Sequence, residues 1–148
     1  MKKLFAIAAT VVLFATACSG SHSEKESNDT ATEAAEHVKP SVEVLDDDTA
    51  YRPGIRPEMP TIIDFNATWC MPCKVFAPVF HSACEAFPNV KFVSADVDNM
   101  PLTAEAYGIS SIPTVIFINT DGTETRYVGT GDLLPAERFN DLINEFTR

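Results

Sequence analysis

Apolar residues along the chain follow two spacings, which predict strands and helices from residue 61 onward. Thr61–Phe65 is a β-branched and aromatic run, typical of a buried parallel strand, and Val90–Val97 is expected to form the next strand. Between them, apolar residues recur at helical spacing, at Val75, Phe76, Val79, Phe80 and Phe87. The order strand, helix, strand is typical of an α/β protein.

The second half of the chain predicts a helix, a hairpin and a closing helix. Pro101–Tyr107 is expected to be helical and to end at Gly108. Val115–Ile118 and Glu124–Val128 flank the turn signal Asn119–Gly122, a pattern typical of a β-hairpin. The apolar face of the closing helix consists of Phe139, Leu142, Ile143 and Phe146.

The region before residue 61 is expected to add a strand at Val42–Leu45. A short helix is expected to start at Asp46–Thr49 and to end before Pro53–Gly54.

Pro78, inside the first long helix, predicts a kink. Four or five strands with helices on both faces of a sheet predict one small α/β domain.

A pair of cysteines lies where the first buried strand gives way to a helix. Cys70 and Cys73 are three residues apart, and Pro72 suits the first helical turn. Cys70 is therefore expected at the helix N-terminus, where free N–H groups and the helix dipole stabilise a thiolate. We expect Cys70 to attack a substrate disulfide and the less exposed Cys73 to resolve the mixed disulfide. The reverse steps oxidise a dithiol.

Metal binding is the alternative interpretation of this pair, because Cys-x-x-Cys is also half of a common zinc site. Structural zinc needs four ligands, and the other two cysteines, Cys18 and Cys84, do not form a second such pair. We therefore favour a redox pair and expect no metal and no cofactor. A Cu(I)-binding chaperone that uses Cys70 and Cys73 as ligands is an alternative of another class.

The residues around the cysteine pair resemble the active-site segment of thioredoxins. The shared pattern is Ile63-Asp64-Phe65-x-Ala67-x-Trp69-Cys70-x-Pro72-Cys73-Lys74, followed by Ala77-Pro78. Two later segments also resemble that family, Tyr107-Gly108-Ile109-x-x-Ile112-Pro113-Thr114 and Asp121-Gly122. The resemblance covers residues 41–148 and implies the thioredoxin fold, with a central mixed sheet of four or five strands and helices on both faces.

The resemblance also implies roles for single residues. Asp64 is similar to a buried carboxylate that relays the proton of the second cysteine, and burial would raise its pKa toward that task. Pro113 is similar to a cis-proline whose loop, with Ile112, offers backbone groups to an extended substrate, and Trp69 would pack beside the site. The alternatives are a strand-end aspartate that accepts backbone hydrogen bonds and an ordinary half-buried tryptophan.

Three positions depart from the pattern of the family. Asn66 stands where thioredoxins usually carry a tryptophan, and Ser94 stands where a lysine partners the buried carboxylate. Without that cation, the pKa of Asp64 is expected to lie higher still. Met71 replaces a glycine typical of strongly reducing members, and the dipeptide between the cysteines helps to set the redox potential. These departures are compatible with either direction of the reaction, reduction or oxidation of substrates.

The N-terminus resembles a bacterial lipoprotein signal. Two lysines precede Leu4–Phe14, an apolar run of eleven residues with one threonine, which is too short to span a membrane. Small residues then lead to Cys18, although Ala15 stands where leucine is more usual. The resemblance implies that residues 1–17 are removed and that Cys18 is lipidated. The alternative is an unmodified cysteine near an ordinary cleavage site.

Residues 18–40 are expected to form the lipidated cysteine and a flexible acidic linker, rich in Ser, Thr, Ala and Glu, ahead of the domain at 41–148. The net charge of −10 argues against nucleic acid as a partner. Cys84 lies on the apolar helix face, so we expect it in the core rather than in a regulatory role, and we expect His81 at the surface.

These features predict an extracytoplasmic thiol-disulfide oxidoreductase, anchored by lipid in the bacterial cell envelope and facing the periplasm. We expect a monomer that reduces disulfides of exported proteins and takes electrons from a membrane partner. Reduction is preferred because of the resemblance and because no histidine lies between the cysteines. A disulfide-forming oxidase and a reductase for cytochrome c maturation are the alternatives.

Overall fold

Five strands form one mixed sheet in the computed structural model, which describes residues 40–148. The strands are β1 (Glu43–Val44), β2 (Thr61–Asn66), β3 (Lys91–Asp96), β4 (Thr114–Ile118) and β5 (Glu124–Val128). The helices are α1 (Met71–Ala86), α2 (Pro101–Ala106) and α3 (Ala136–Phe146). The predicted signal peptide, Cys18 and the linker up to residue 39 lie outside the described residues.

The sheet has the order β1-β3-β2-β4-β5, so β2 lies at its centre. β3 is parallel to both β1 and β2, whereas β4 runs antiparallel to β2 and to β5. In this register Asp64 of β2 lies opposite Ser94 of β3 on one side and Val115 of β4 on the other. The expected α/β architecture, a mixed sheet with helices on both faces, is confirmed.

Each face of the sheet packs against its own apolar core, because side chains alternate along a strand. From β2, Ile62 joins the core beneath α1 and α3, whereas Ile63 and Phe65 join the core beneath α2. The expected apolar face of α3 is confirmed, with Phe139 and Ile143 fully buried. Cys84 is 3% exposed and belongs to the core of the α1 face, as expected.

The predicted short helix at Asp46–Thr49 is wrong. Asp47 Oδ1 instead accepts hydrogen bonds from Thr49 N and Oγ1, which closes a local turn. The carboxylate of Asp48 accepts the backbone N–H groups of Leu102 and Thr103 at 2.9 and 2.8 Å, at the start of α2. Of the acidic residues expected to start a helix, Asp47 therefore stabilises a local turn and Asp48 caps the distant helix α2.

The other helix and turn signals are found where the sequence predicts them. α1 continues through Pro78 to Ala86, and the expected kink remains a prediction. Gly108 follows α2 with a φ of 60°, and Gly122 lies in the hairpin turn with a φ of 86°. A side chain at Gly122 would also meet Arg56 Cγ at 3.2 Å, so both the backbone and the space favour glycine there.

The first described residues lie against the second half of α1. Pro40 and Val42 line a groove of about 560 Å³, together with Pro78, His81 and Cys84 of the helix. Val42 also packs on the core of the α1 face. Within residues 40–148, no helix has the length and the apolar character needed to cross a membrane.

Candidate active site

Cys70 and Cys73 are joined by a disulfide at the N-terminus of α1, with their Cα atoms 5.3 Å apart. Cys70 is the N-cap residue, and its Sγ accepts a hydrogen bond from the backbone N–H of Cys73 at 3.2 Å. Pro72 occupies the first turn of the helix, where its missing N–H costs nothing. The predicted helix-terminal position of Cys70 is confirmed. The predicted difference in exposure is wrong for this disulfide form, since both cysteines are 4% exposed.

The tight connection between β2 and α1 holds the pair in place. The backbone N–H of Cys70 donates to the carbonyl of Ala67 at 3.1 Å, directly after the end of β2. Ala67 and the two cysteines form a small apolar cluster, against which Val97 and Ile112 pack. The disulfide is therefore set at the carboxyl end of the central strand, the edge at which α/β sheets commonly present their sites.

The loop before β4 lies against this cluster. The Ile112–Pro113 peptide is cis, as the resemblance implies, and Pro113 is buried. The Pro113 carbonyl accepts the N–H of Gly129 at 2.7 Å, and Thr114 Oγ1 donates to the Ser111 carbonyl at 2.7 Å. These bonds fix the loop, and Ile112 brings it into contact with the cysteine pair.

Trp69 is 64% exposed and forms one wall of a groove beside the disulfide. The groove has a volume of about 400 Å³ and is also lined by Val97, Ile109 and Ile112. Trp69 Nε1 donates to Asp98 Oδ2 at 2.8 Å, which fixes the indole ring. The role of Asp98 was not predicted, because the contact joins residues 29 positions apart.

Asp64 is a buried carboxyl, only 4% exposed. Burial raises its pKa to about 7, and a hydrogen bond from Asn66 opposes that shift. Asn66 Nδ2 donates to Asp64 Oδ2 at 3.2 Å, whereas Oδ1 has no hydrogen-bond partner among residues 40–148. No backbone N–H of these residues donates to the carboxyl, so Asp64 does not accept backbone hydrogen bonds in the way that the alternative interpretation expected.

The two unusual residues Asn66 and Ser94 meet beside Asp64. Asn66 Nδ2 donates to Ser94 Oγ at 2.8 Å and to the Asp64 carbonyl at 3.0 Å. Asp64, Asn66 and Ser94 also line one cavity of about 190 Å³ together with Cys73. The structure thus brings the predicted carboxyl and the predicted second cysteine to the same small cavity.

Few side chains near the cysteine pair could serve as metal ligands in the described part of the chain. In the part of the chain that the structure describes, no group of three His, Cys, Asp or Glu side chains could hold a metal ion. The third cysteine of this part, Cys84, is free and belongs to the core rather than to the cluster around the pair. Among residues 40–148, Cys70 and Cys73 therefore have no third His, Cys, Asp or Glu side chain with which to hold a metal ion.

Comparisons with known proteins point to one family. A family model described as Thioredoxin matches residues 41–145. A thioredoxin of Borreliella burgdorferi is 36% identical over 92 residues, which cover 62% of this chain and 76% of the relative. A thioredoxin of Chlamydia trachomatis is 44% identical over 72 residues, which cover 48% of this chain and 70% of the relative.

Solved structures give the same result. The crystal structure of Malassezia sympodialis thioredoxin is similar with a TM-score of 0.62 and 28% identity, and the match covers 78% of this chain and all of the other. Mitochondrial thioredoxin 3 of Saccharomyces cerevisiae, in its oxidised form, is similar with a TM-score of 0.59 and 30% identity. That match covers 70% of this chain and 94% of the other.

Proposed function

Since this chain belongs to the thioredoxin family and is a thiol-disulfide oxidoreductase of that type, we propose that it works as a lipid-anchored reductase of the bacterial cell envelope. Its substrates are disulfides of exported proteins. The observation that carries the chemistry is the Cys70–Cys73 pair at the N-terminus of α1. The signal-like residues 1–17 and Cys18 support the location.

Cys70 is the nucleophile of the proposed reaction. In the reduced protein its thiolate faces the N-terminus of α1, where backbone N–H groups and the helix dipole stabilise negative charge. The thiolate attacks one sulfur of a substrate disulfide, so a Cys70–substrate bond forms and the substrate S–S bond breaks. The second substrate sulfur leaves as a thiolate. The groove beside Trp69 and the loop at Ile112 and Pro113 hold the substrate chain during this step.

Cys73 resolves the mixed disulfide. Asp64 accepts the proton of the Cys73 thiol, and the resulting thiolate attacks Cys70 Sγ. The Cys70–Cys73 bond forms, the bond to the substrate breaks, and the substrate leaves as a dithiol. This step ends in the disulfide form that the structure represents.

A dithiol protein of the membrane regenerates the enzyme. It supplies two electrons by the same exchange in reverse, becoming a disulfide while Cys70 and Cys73 return to thiols. The protein thus needs no cofactor of its own, because the electrons pass between sulfur atoms.

The reduction potential of the pair tests the direction of the reaction. We expect the full chain, equilibrated in glutathione buffers and scored by thiol trapping, to have a potential of about −270 mV, as thioredoxins do. A value of about −120 mV would instead assign a disulfide-forming oxidase. Cys70→Ser is the control, because it removes the exchange while keeping Cys73. If the protein instead bound Cu(I) stoichiometrically, retained it against competing chelators and showed no disulfide exchange, its function would be that of a metal chaperone.

Fractionation of cells tests the location. The full chain is expected in the membrane fraction and accessible to a protease that enters the periplasm. Cys18→Ser is expected to move it to a soluble or signal-anchored form that lacks incorporated palmitate, and Cys84→Ser provides the matched control. Equal palmitate labelling of all three proteins would refute the anchor.

A further inference from the structure

The two oxygens of the Asp64 carboxyl differ in their hydrogen bonds. Oδ2 accepts a hydrogen bond from Asn66 Nδ2 at 3.2 Å. Oδ1 is buried and has no hydrogen-bond partner within residues 40–148. Leaving a buried oxygen without a protein partner is costly, and of the two oxygens Oδ1 is the one that no protein donor occupies.

Asn66 is held in place by the neighbouring strand. Side chains at positions 64 and 66 of β2 lie on the same face of the sheet, and Ser94 of β3 lies opposite Asp64. The Asn66 amide nitrogen contacts Ser94 Oγ at 2.8 Å and the Asp64 carbonyl at 3.0 Å, besides the carboxyl itself. Its two hydrogens are therefore shared among three acceptors on two strands, which fixes the position of the carboxamide.

The cavity of about 190 Å³ connects this polar bridge to the second cysteine. The ionisable side chains that line it are those of Asp64, Cys73, Lys74 and His81. Lys74 and His81 are exposed, so they lie toward solvent. On the sheet, Ser94 and Val115 lie opposite Asp64, and neither of them titrates. In this part of the chain, the donor to the Asp64 carboxyl is thus a neutral amide rather than a cation.

We propose that Asn66 is a positioning residue for the resolving step: held by Ser94, its carboxamide binds one oxygen of Asp64 and leaves Oδ1 to receive the Cys73 proton. The inference rests on the proposed function, because it requires Asp64 to accept that proton. The proton moves from Cys73 Sγ to Asp64 Oδ1, and the sulfur electron pair then forms the Cys70–Cys73 bond while the bond from Cys70 to the substrate breaks and the substrate sulfur leaves as a thiolate. Asn66 and Ser94 exchange no proton or electron in this step.

The electrostatics of the carboxyl agree with this role. Burial raises the pKa of Asp64 to about 7, and the Asn66 hydrogen bond lowers it by stabilising the ionised form. Loss of this donor leaves burial unopposed, so Asp64 would hold its own proton at neutral pH and could not accept another.

A two-phase reaction with an aromatic disulfide tests the proposal. The full chain, with Cys18→Ser and Cys84→Ala so that two thiols remain, is reduced and mixed with an equimolar amount of Ellman's reagent. The first release of thionitrobenzoate reports the attack by Cys70, and the second reports resolution by Cys73. The rate of the second phase is measured from pH 5 to 9 in each variant.

Asn66→Leu keeps a similar volume but has no donor. We expect its first phase to be unchanged and the pH midpoint of its second phase to rise by about one unit, so that the rate at pH 7 falls up to about tenfold. Ser94→Lys places a cation opposite Asp64 and is expected to shift the midpoint downward. Opposite shifts from two neighbouring changes distinguish an effect on the charge of Asp64 from a loss of structure. If Asn66→Leu does not fold, Asn66→Ala, which also removes the donor, takes its place and is expected to raise the midpoint in the same way.

Two controls assign the midpoint to Asp64. In an Asp64→Asn background, Asn66→Leu is expected to leave the second phase unaltered, and His81→Gln alone is expected to leave the midpoint in place. The proposal would be overturned if Asn66→Leu did not shift the midpoint, or if Asn66→Leu slowed the second phase equally in the Asp64→Asn background. It would also be overturned if His81→Gln shifted the midpoint. Failure of the parent protein to release thionitrobenzoate in either phase would instead overturn the proposed function.

Discussion

Asp64 is an ionisable side chain in an apolar part of the protein interior. Its neighbours on β2 are apolar, and the side chain is only 4% exposed. The pKa of about 7 results from burial, which disfavours the charged form more than the Asn66 hydrogen bond favours it. A carboxyl with this pKa can give and take a proton at neutral pH, whereas an exposed aspartate stays ionised.

This pKa predicts that the protein loses stability as pH rises. Between about pH 4 and 7, folded Asp64 holds a proton that the unfolded chain has already released, so the free energy of unfolding falls across that window. We expect a loss of up to about 4 kcal/mol, and Asp64→Asn should remove most of this slope. Denaturant unfolding of the oxidised protein at pH 4, 7 and 8 measures the effect.

The matched control for this measurement is Asp141→Asn, which changes an exposed aspartate of α3 in the same way. It should retain the slope of the parent protein. If Asp64→Asn and Asp141→Asn gave the same dependence on pH, burial of Asp64 would not govern the stability of the folded state.

At the scale of elements, α2 depends on a residue far away in the sequence. The helix has six residues, and its own N-cap, Met100, provides no side-chain hydrogen bond. Asp48 supplies the cap from 54 positions earlier, and its carbonyl also accepts a bond from Thr103 Oγ1 at 2.9 Å. Arg52 Nη1 reaches the same hydroxyl at 3.1 Å, so the segment before β2 and the start of α2 are tied together.

Asp48→Ala is therefore expected to loosen two elements at once. It removes the acceptor of two helix N–H groups, which leaves them without a protein partner. The Tm should fall by several degrees, and the amide hydrogens of Leu102 and Thr103 should exchange faster. Asp47→Ala, which affects only a local turn, is the control and should have a smaller effect on both measurements. Equal effects would show that α2 does not depend on the distant cap.

The sequence predicts elements whose contacts are close in sequence better than elements whose contacts are distant in sequence. Local spacing was enough for β2 and for the apolar faces of α1 and α3, because the side chains involved are close in sequence. The predicted helix at Asp46–Thr49 failed because the partners of Asp48 lie 54 positions away. In the site, spacing predicted the cysteine pair at the start of a helix, and the resemblance to thioredoxins predicted a buried carboxyl at Asp64. The contact between Asn66 and Ser94 depends on how β2 and β3 align, which spacing along one segment does not reveal.

For the whole molecule, Phe139 joins the two helices of one face to the sheet. It is fully buried on α3, and its ring lies 5.1 Å from Phe76 and 6.2 Å from Phe80 of α1, centroid to centroid. The ring of Phe117 on β4 lies 6.0 Å away. The edge contacts with Phe76 and Phe117 add aromatic attraction to the burial of apolar surface.

Phe139→Ala is expected to lower the free energy of unfolding by about 3–5 kcal/mol, because it leaves a cavity between α1, α3 and the sheet. Leu102→Ala, at a side chain that is 53% exposed, is the control and should change it by less than about 0.5 kcal/mol. Urea unfolding of the oxidised proteins at one pH compares the two. A cost for Phe139→Ala as small as that of the control would mean that the helices are not held through this ring.

The groove that Pro40 and Val42 help to line shows where the chain enters the domain relative to the disulfide. It lies beside Pro78 and Cys84, whereas Cys70 begins the same helix. At a rise of about 1.5 Å per residue, roughly 12 Å of helix separates Cys70 from Pro78, and roughly 21 Å separates it from Cys84. The chain therefore enters the domain beside the second half of α1 and not at Cys70. An attachment made through that entry point would leave the N-terminal end of α1, which carries the two sulfurs, facing away from the point of attachment.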